Sequence, residues 1–396
     1  MENKKSILFV SNGHGEDIIT AQIIQTIFKK TKKDDLNIDV LPIVGEGNRF
    51  KDLPVNILGP EVKLPSGGFA RNSLTNLLKD LKAGLLSKTY KQVRDLIKSR
   101  KEDELSVVVG DIYILLLTGI FKGGKIIFFP TAKSEYIEGH YKIERYLMKK
   151  FANLVLPRDE KTKNDLKAHN INTEFYGNLM MDCFNINNIK FDIDYDKIKI
   201  GILPGSREEA YDNMLDFLNV IENLEDLTTD QFEFLTAVAN NFSLASLKEK
   251  LKNTSWDIID KKDEYIKLQL KSPKGNSRIS IIYNGFGDVL DQAKLFMGMA
   301  GTANEQAAGM GKPVIIFPGT GAQFTYEFAV DQKRLLGEGV KFVDRDFNKV
   351  AYAILELLED EEEYKKRSNA GKNRMGDRGA ADKTAKRVLD YLQKGD

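Results

Sequence analysis

The stretch FMGMAGTANEQAAGMGKPVIIFPGTGAQ, residues 296–323, combines a glycine turn, an acid-bearing helix start, a buried strand and a second glycine turn. Residues 298–301 can bring backbone N–H groups together after a short strand, and the alanine-rich residues 302–310 predict a helix that begins there. A helix N-terminus binds phosphate well because it presents unpaired N–H donors and a partial positive charge. Glu305, one turn into this helix, can reach the hydroxyls of an attached ribose. The pattern indicates a nucleoside diphosphate site, although the glycines alone fit a plain strand-turn-helix joint with a solvated Glu305 equally well.

The residues that follow favour the nucleotide site. Residues 314–317 (VIIF) predict a fully buried strand, which the turn 318–321 (PGTG) ends at its carboxyl end, where open α/β sheets bind ligands. Gln323 is therefore expected beside Glu305.

A second motif, LPGSR at residues 203–207, ends another predicted strand. Gly205 and Ser206 offer backbone N–H groups there, and Arg207 adds a guanidinium where we expect a helix to start. N–H donors and a guanidinium that converge at a strand end suit a pyrophosphate.

These motifs resemble the donor half of the GT-B glycosyltransferases, in particular lipid-A-disaccharide synthase and its relatives, and more distantly the peptidoglycan UDP-N-acetylglucosamine transferase. LPGSR matches the corresponding synthase motif residue for residue. The resemblance implies that the pyrophosphate lies at Gly301 and Thr302, that Glu305 binds the ribose and that Gln323 binds sugar hydroxyls. It also implies an α/β fold of GT-B type, with two Rossmann-like domains and an interdomain cleft that holds the site.

Candidate acid/base residues follow two predicted strands in the first half of the chain. The turn SNGHGED at residues 11–17 lacks the GxGxxG pattern and offers His14, Glu16 and Asp17 before a helix. Asp111 follows a second strand and is a candidate general base for a sugar hydroxyl. Each acid could equally cap the helix that follows it. The synthases carry a similar loop, but this variant resembles a synthase-related family, which leaves the acceptor open.

A basic amphipathic helix or helix pair is predicted at residues 69–101, where leucines line one side and lysines and arginines surround them. Such a helix can lie on an anionic bilayer, with its lysine stems covering apolar surface. A helix that packs on the core and exposes its charged face is the alternative. Residues 1–178 carry a net charge of +7 and residues 179–396 one of −6, so the basic excess lies in the half that contains this helix.

The length of 396 residues suits two domains. We place the acceptor-side domain at 1–178, a linker at 179–197, the nucleotide-sugar domain at 198–378 and a terminal helix at 379–396, which could pack back on the first domain. A single cysteine and three histidines argue against a disulfide and against a metal site. Without a signal core or an apolar run long enough to span a bilayer, the expected location is cytoplasmic, peripheral on the inner face of the cytoplasmic membrane.

The function expected from these features is that of a metal-independent, inverting hexosyltransferase. It would transfer a hexosamine or hexose from a UDP-sugar, the donor substrate, to a lipid-linked or membrane-associated acceptor. No cofactor is expected. Two alternatives remain, a UDP-N-acetylhexosamine 2-epimerase-like enzyme and a non-catalytic protein that binds nucleotide sugars. We expect no nucleic-acid partner, and the sequence leaves homo-oligomer formation, the donor sugar and the acceptor open.

Overall fold

The structure, a computed structural model, describes residues 5–32, 35–44, 47–58, 94, 96–97 and 104–394. The chain divides into two compact units, the first made of Met1–Cys183 with Arg378–Asp396 and the second of Phe184–Asp377. The division falls inside the predicted linker 179–197. There, Leu179–Asp182 form a short 3-10 helix of the first unit, while Phe184 is buried in the second.

The first unit contains a six-stranded sheet with strand order β3-β2-β1-β4-β5-β6, and every pair of neighbours in it is parallel. The strands are β1 (Lys5–Ser11), β2 (Leu36–Pro42), β3 (Asn56–Ile57), β4 (Leu105–Gly110), β5 (Lys125–Pro130) and β6 (Leu154–Val155). Helices between them are α1 (His14–Lys30), α2 (Ile112–Leu117), which continues as a π-helical turn Thr118–Lys122, α3 (Lys142–Phe151) and α4 (Glu160–Ala168). β4 is buried along its whole length, as expected for a continuous apolar run covered on both faces.

The second unit contains an eight-stranded sheet with order β14-β13-β12-β7-β8-β11-β10-β9. Its strands are β7 (Ile198–Leu203), β8 (Phe232–Ala237), β9 (Asp257–Asp260), β10 (Ile266–Lys271), β11 (Ser277–Ile282), β12 (Leu295–Gly298), β13 (Val314–Ile316) and β14 (Val340–Phe342). Its helices are α5 (Ala210–Leu227), α6 (Leu244–Leu251), α7 (Phe286–Gln292), α8 (Thr302–Gly309), α9 (Tyr326–Leu336), α10 (Phe347–Glu359) and α11 (Glu361–Met375). Only β9 and β10 run antiparallel to their neighbours among these strands.

Both sheets have the strand order of a Rossmann fold. Counting only the parallel strands of the second unit from β7 to β14, each sheet reads 3-2-1-4-5-6. The order reverses between β1 and β4 in the first unit and between β7 and β12 in the second. Ligands of such sheets bind at this switch point, beyond the carboxyl ends of the strands. The predicted α/β architecture with two Rossmann-like units is confirmed.

The terminal helix α12 (Ala380–Lys394) packs on α1 in the first unit. Ala385 and Val388 share one buried core with Ile19 and Ile23 of α1. At the start of α12, Asp182 accepts the N–H groups of residues 379 and 381 at 2.6 and 2.7 Å. The first unit therefore takes its core from both ends of the chain.

Several predicted boundaries are wrong. α1 begins at His14 and not at residue 18, because Gly13, with φ of +142°, turns the chain sharply enough for the helix to start at once. α5 begins at Ala210, so Arg207 lies in the bend before the helix.

Two further errors concern element type. The sequence predicts a helix at residues 288–295, but α7 ends at Gln292 and Leu295 already starts β12. It also predicts a short strand at residues 174–178, which do not form one. Only Thr173 bridges to Val155, and Gly177 has a φ of +115° that interrupts an extended run.

Candidate functional site

In the second unit, the loops after β7 and β12 meet at the switch point. The N–H of Met299 donates to the carbonyl oxygen of Leu203 at 2.9 Å. Gly205 has a φ of +100°, and a Cβ at this position would lie 3.2 Å from the Met299 carbonyl oxygen. A side chain here would be strained and crowded, so glycine allows the two loops to approach. The LPGSR motif and the glycine turn before α8 therefore adjoin.

Helix α8 begins beside this contact. Gly301 occupies its N-cap position and has no side chain with which to cap the first turn. Thr302 is exposed, and Glu305 is half-buried within the first turn. Aligned N–H donors and the partial charge of the helix end suit an anion here. The binding roles of these three residues stay predictions.

A third loop, between β13 and α9, is tied to the β7 loop by Glu209. Its carboxylate accepts the N–H groups of Ala322 at 2.7 Å and of Gln323 at 3.1 Å. A Cβ on Gly321 would lie 2.4 Å from the Glu209 carboxyl carbon, so a side chain here would displace the carboxylate. Gln323 is exposed at the carboxyl edge of the sheet. Glu209 was not predicted from the sequence, because its partners lie 113 and 114 residues away.

Arg207 follows in the β7 loop, and its side chain is exposed. Beside it lies a pocket of about 220 Å³, formed where the loops after β7 and β8 adjoin. The pocket is lined by Ser206, Arg207, Glu208, Tyr211, Asn241 and Phe242. The rings of Tyr211 and Phe242 pack with their centroids 4.7 Å apart and stiffen its wall. The guanidinium predicted to bind pyrophosphate thus stands at the rim of an open space.

In the first unit, the switch point brings together Asn12 after β1 and Asp111 after β4. The Asn12 side-chain amide donates to Asp111 Oδ2 at 2.7 Å. The other carboxylate oxygen caps α2, accepting the N–H groups of Tyr113 at 3.0 Å and Ile114 at 3.3 Å. The pKa of Asp111 is raised, because the effect of burial exceeds that of the three hydrogen bonds, which lower it. Asp111 is therefore a helix cap, and a catalytic role for it stays a prediction.

The first turn of α1 supplies two more carboxyl groups to the same edge of the sheet. Asp17 is 3% exposed and accepts a hydrogen bond from the Ser11 hydroxyl at 2.5 Å. Burial raises its pKa to about 7. Glu16 accepts a hydrogen bond from the Thr131 hydroxyl, after β5, at 3.2 Å. His14 is the first residue of this helix. A carboxyl group with a pKa near 7 can take up and release a proton at neutral pH.

The basic helix predicted at residues 69–101 lies outside the described residues, apart from positions 94, 96 and 97, which are helical. Leu96 is buried in the core of the first unit. Within the described part of the chain, no helix is both long and apolar enough to cross a bilayer. The same part contains no group of three His, Cys, Asp or Glu side chains that could hold a metal ion.

Comparison with solved structures identifies the fold. The chain is similar to the calicheamicin glycosyltransferase CalG4, with a TM-score of 0.65, 11% identity and 99% of each chain covered. It is also similar to the UDP-GlcNAc 2-epimerase from Neisseria meningitidis, solved with UDP-GlcNAc bound, with a TM-score of 0.60, 15% identity and coverage of 98% of this chain and 100% of that one. MurG from Acinetobacter baumannii matches with a TM-score of 0.58 and 11% identity over 98% of this chain and 99% of its own.

No protein-family model matches the sequence, and no curated protein matches it. Identities of 11–15% establish the fold alone. The chain has the GT-B fold, with two Rossmann-like units.

Proposed function

We propose that the protein is a glycosyltransferase that transfers a hexosamine or hexose from a UDP-sugar to a lipid-linked acceptor. The observation that carries the proposal is the meeting of three loops at the switch point of the second unit. LPGSR, the start of α8 and the β13 loop held by Glu209 adjoin there, and they combine backbone donors, a guanidinium and hydroxyl-binding groups. A nucleoside diphosphate that carries a sugar requires this set of groups.

The proposed reaction is a single displacement at the anomeric carbon, which inverts its configuration. Arg207 and the N–H groups at Gly301 and Thr302 would stabilise the charge that develops on the departing diphosphate. These donors can serve the role that a metal ion plays in other enzymes, so no cofactor or metal is part of the proposal. A side chain of the first unit would accept the proton of the acceptor hydroxyl. Asp111, Glu16, Asp17 and His14 are the candidates.

The acceptor is proposed to be lipid-linked, as in the lipid-A-disaccharide synthases that the motifs resemble. The basic helix at 69–101 would hold the protein on the anionic inner face of the cytoplasmic membrane. In a sedimentation assay with anionic vesicles, changing Lys82, Lys88 and Lys91 to glutamate should reduce binding, since each lysine contributes up to about 1 kcal/mol. Raising the salt concentration should release the wild type.

A matched control for this assay reverses the charge of three exposed lysines of the second unit: Lys252, Lys349 and Lys365. This variant has the same net charge as the first. Equal sedimentation of the wild type and both variants would mean that residues 69–101 serve the core and not a membrane.

An epimerase is the second candidate, because a UDP-GlcNAc 2-epimerase shares the fold over nearly the whole chain. Such an enzyme binds the same donor and needs neither an acceptor nor a membrane helix. A non-catalytic protein that senses nucleotide sugars would bind the donor without turnover.

One experiment separates these functions. The purified protein is incubated with labelled UDP-N-acetylglucosamine, UDP-glucose or UDP-galactose, with and without a bacterial lipid extract, and the products are identified by mass spectrometry. Labelled glycolipid and free UDP that form only with the extract support the transferase. An isomerised UDP-sugar without the extract supports the epimerase, and binding without turnover supports the sensor. Absence of binding to every UDP-sugar would refute the proposal.

A further inference from the structure

A pair of buried amide side chains lies directly behind the start of α8. Asn304, on α8 itself, is fully buried, and Gln332, on α9, is 3% exposed. The two side chains are joined by a hydrogen bond of 2.9 Å from Asn304 Nδ2 to Gln332 Oε1. Asn304 lies in the alanine-rich residues 302–310, but no sequence pattern assigns a role to it or to Gln332.

All four N–H donors of this pair are used, and three of them hold the glycine turn. Asn304 Nδ2 donates its second hydrogen to the carbonyl oxygen of Gly298 at 3.3 Å. Gln332 Nε2 donates to the carbonyl oxygens of Ala300 at 3.0 Å and Gly301 at 2.9 Å. Because both hydrogens of Nε2 meet a carbonyl and Oε1 meets a donor, the orientation of the Gln332 amide is unambiguous.

The direction of these carbonyl groups determines the direction of the neighbouring N–H groups. In a planar trans peptide, the C=O and the following N–H point in opposite directions. With the carbonyls of Ala300 and Gly301 turned inward to Gln332, the N–H groups of Gly301 and Thr302 must point to the opposite, open side. Gly301 is half-buried and Thr302 is exposed, which agrees with this orientation.

Packing alone does not require amides here. Buried amide groups are costly unless they are hydrogen-bonded, and an apolar pair of the same size would leave the inward carbonyl oxygens of the turn without these donors. The pair also leaves no room for a side chain at Gly298, where a Cβ would lie 2.0 Å from Asn304 Oδ1. The turn and the two amides therefore form one unit.

We propose that Gln332, supported by Asn304, is a positioning residue that holds the N–H groups of Gly301 and Thr302 in the direction needed to bind the diphosphate of the donor. The inference rests on the proposed function, since it assumes that a nucleoside diphosphate binds at this switch point. Gln332 does not touch the ligand. It acts through the backbone of the turn.

The test compares UDP, which has the diphosphate, with uridine, which lacks it. Gln332→Leu removes the two donors at nearly constant volume, and Gln332→Glu keeps the shape and the accepting oxygen while replacing the donating NH₂ by oxygen. Gln269→Leu is the matched control. Gln269 is 2% exposed on the antiparallel strand β10, and its Nε2 donates to the Ser280 hydroxyl at 3.1 Å. Affinities are measured by calorimetry for UDP and by NMR titration for uridine, and folding is followed by circular dichroism.

Both Gln332 variants are expected to bind UDP about tenfold more weakly than the wild type, because one or two hydrogen bonds to the diphosphate would be misdirected. Their affinity for uridine should stay within about twofold of the wild-type value. Gln269→Leu should leave both affinities unchanged. A folded Gln332→Leu protein with wild-type UDP affinity, or with equal losses for UDP and uridine, overturns the proposal. The proposal is also overturned if both Gln332 variants fail to fold while Gln269→Leu folds, because the amides would then stabilise the whole second unit and not only the turn. A wild-type protein that does not bind UDP refutes the proposed function itself.

Discussion

The two switch points share one topology and carry opposite chemistry. Beyond β7 and β12, the candidate groups are backbone N–H donors at Gly205 and Gly301, joined by the exposed Arg207. Beyond β1 and β4, they are carboxyl groups, with Asp111 and Asp17 held by polar neighbours. The groups at one edge suit a negative charge, and the carboxyl groups at the other can accept protons. The shared strand order determines where a site can form, and the loop residues determine what it can do.

The largest expected effect concerns the carboxylates of the first unit. If Asp111 is the base, Asp111→Asn should lower turnover by roughly 10²–10⁴-fold with UDP affinity unchanged, because an amide cannot accept the proton but still caps α2. His14→Gln, Glu16→Gln and Asp17→Asn are compared in the same transfer assay. The base is the position whose change removes turnover while donor affinity stays the same. Near wild-type turnover in all four variants would show that none of these residues is the base and that the proposed mechanism is wrong.

The raised pKa of Asp17 should appear in the pH dependence of stability. The folded protein holds this proton up to about pH 7, whereas the unfolded chain releases it near pH 3.8, so stability falls as the pH rises between these values. Asp17→Asn removes the cost of ionising a buried carboxyl group, at most about 4 kcal/mol at 1.36 kcal/mol per pKa unit. The variant should therefore be more stable than the wild type at pH 8 and similar to it near pH 4.

Urea unfolding at pH 4, 6 and 8 measures this difference. Asp39→Asn, at a buried aspartate of β2 in the same unit, is a suitable control. A constant difference between Asp17→Asn and the wild type at all three pH values would contradict the assignment of a proton to Asp17.

In the second unit, Glu305→Ala should weaken UDP binding by roughly 1–3 kcal/mol, the range for a lost charged hydrogen bond. Calorimetry with UDP provides the measurement. Glu327→Ala, at an exposed glutamate in the first turn of α9, removes an equivalent charge elsewhere and should have little effect. Unchanged UDP affinity in Glu305→Ala would remove the ribose assignment, and with it much of the contrast between the two edges.

A smaller effect is expected at Glu209, which holds the loop that carries Gln323. Glu209→Gln replaces a charged acceptor of two backbone N–H groups by a neutral one. The hydrogen bonds that hold the loop should become weaker by about 1 kcal/mol. The KM for the UDP-sugar should rise several-fold, while the affinity for UDP, which lacks the sugar, should change little. Glu249→Gln, at an exposed glutamate of α6, is the control. Equal effects on UDP and UDP-sugar would show that the loop does not act through the sugar.

Much of the fold could be predicted from the sequence because its strands are continuous apolar runs. Residues 105–109 and 125–129 read as strands and form β4 and β5. The start of α1 could not be read correctly, because Gly13 has no side chain to cap the helix and its φ of +142° is a property of the folded backbone alone. The antiparallel strands β9 and β10 were not predicted from the sequence.

The candidate site was predictable where a local motif carries it and not where distant residues meet. LPGSR and the glycine turn at 298–301 are visible in the sequence. Gln332 is 28 residues from Asn304, and Glu209 is 113 residues from Ala322, so nothing in the local spacing pairs them. The Asn12–Asp111 pair, 99 residues apart, becomes visible only when the strand order places β1 beside β4.

The packing of α12 on α1 has a consequence for the order in which the protein folds during synthesis. Domains commonly fold from the N-terminus as they leave the ribosome. Here the core that contains Ile19 and Ile23 of α1 also contains Ala385 and Val388, so it cannot be completed until α12 has been made. The second unit, continuous from residue 184 to 377, has no such requirement and can complete its core first. The unit translated first is therefore the last to be finished, and a ribosome that stalls before α12 leaves this core incomplete.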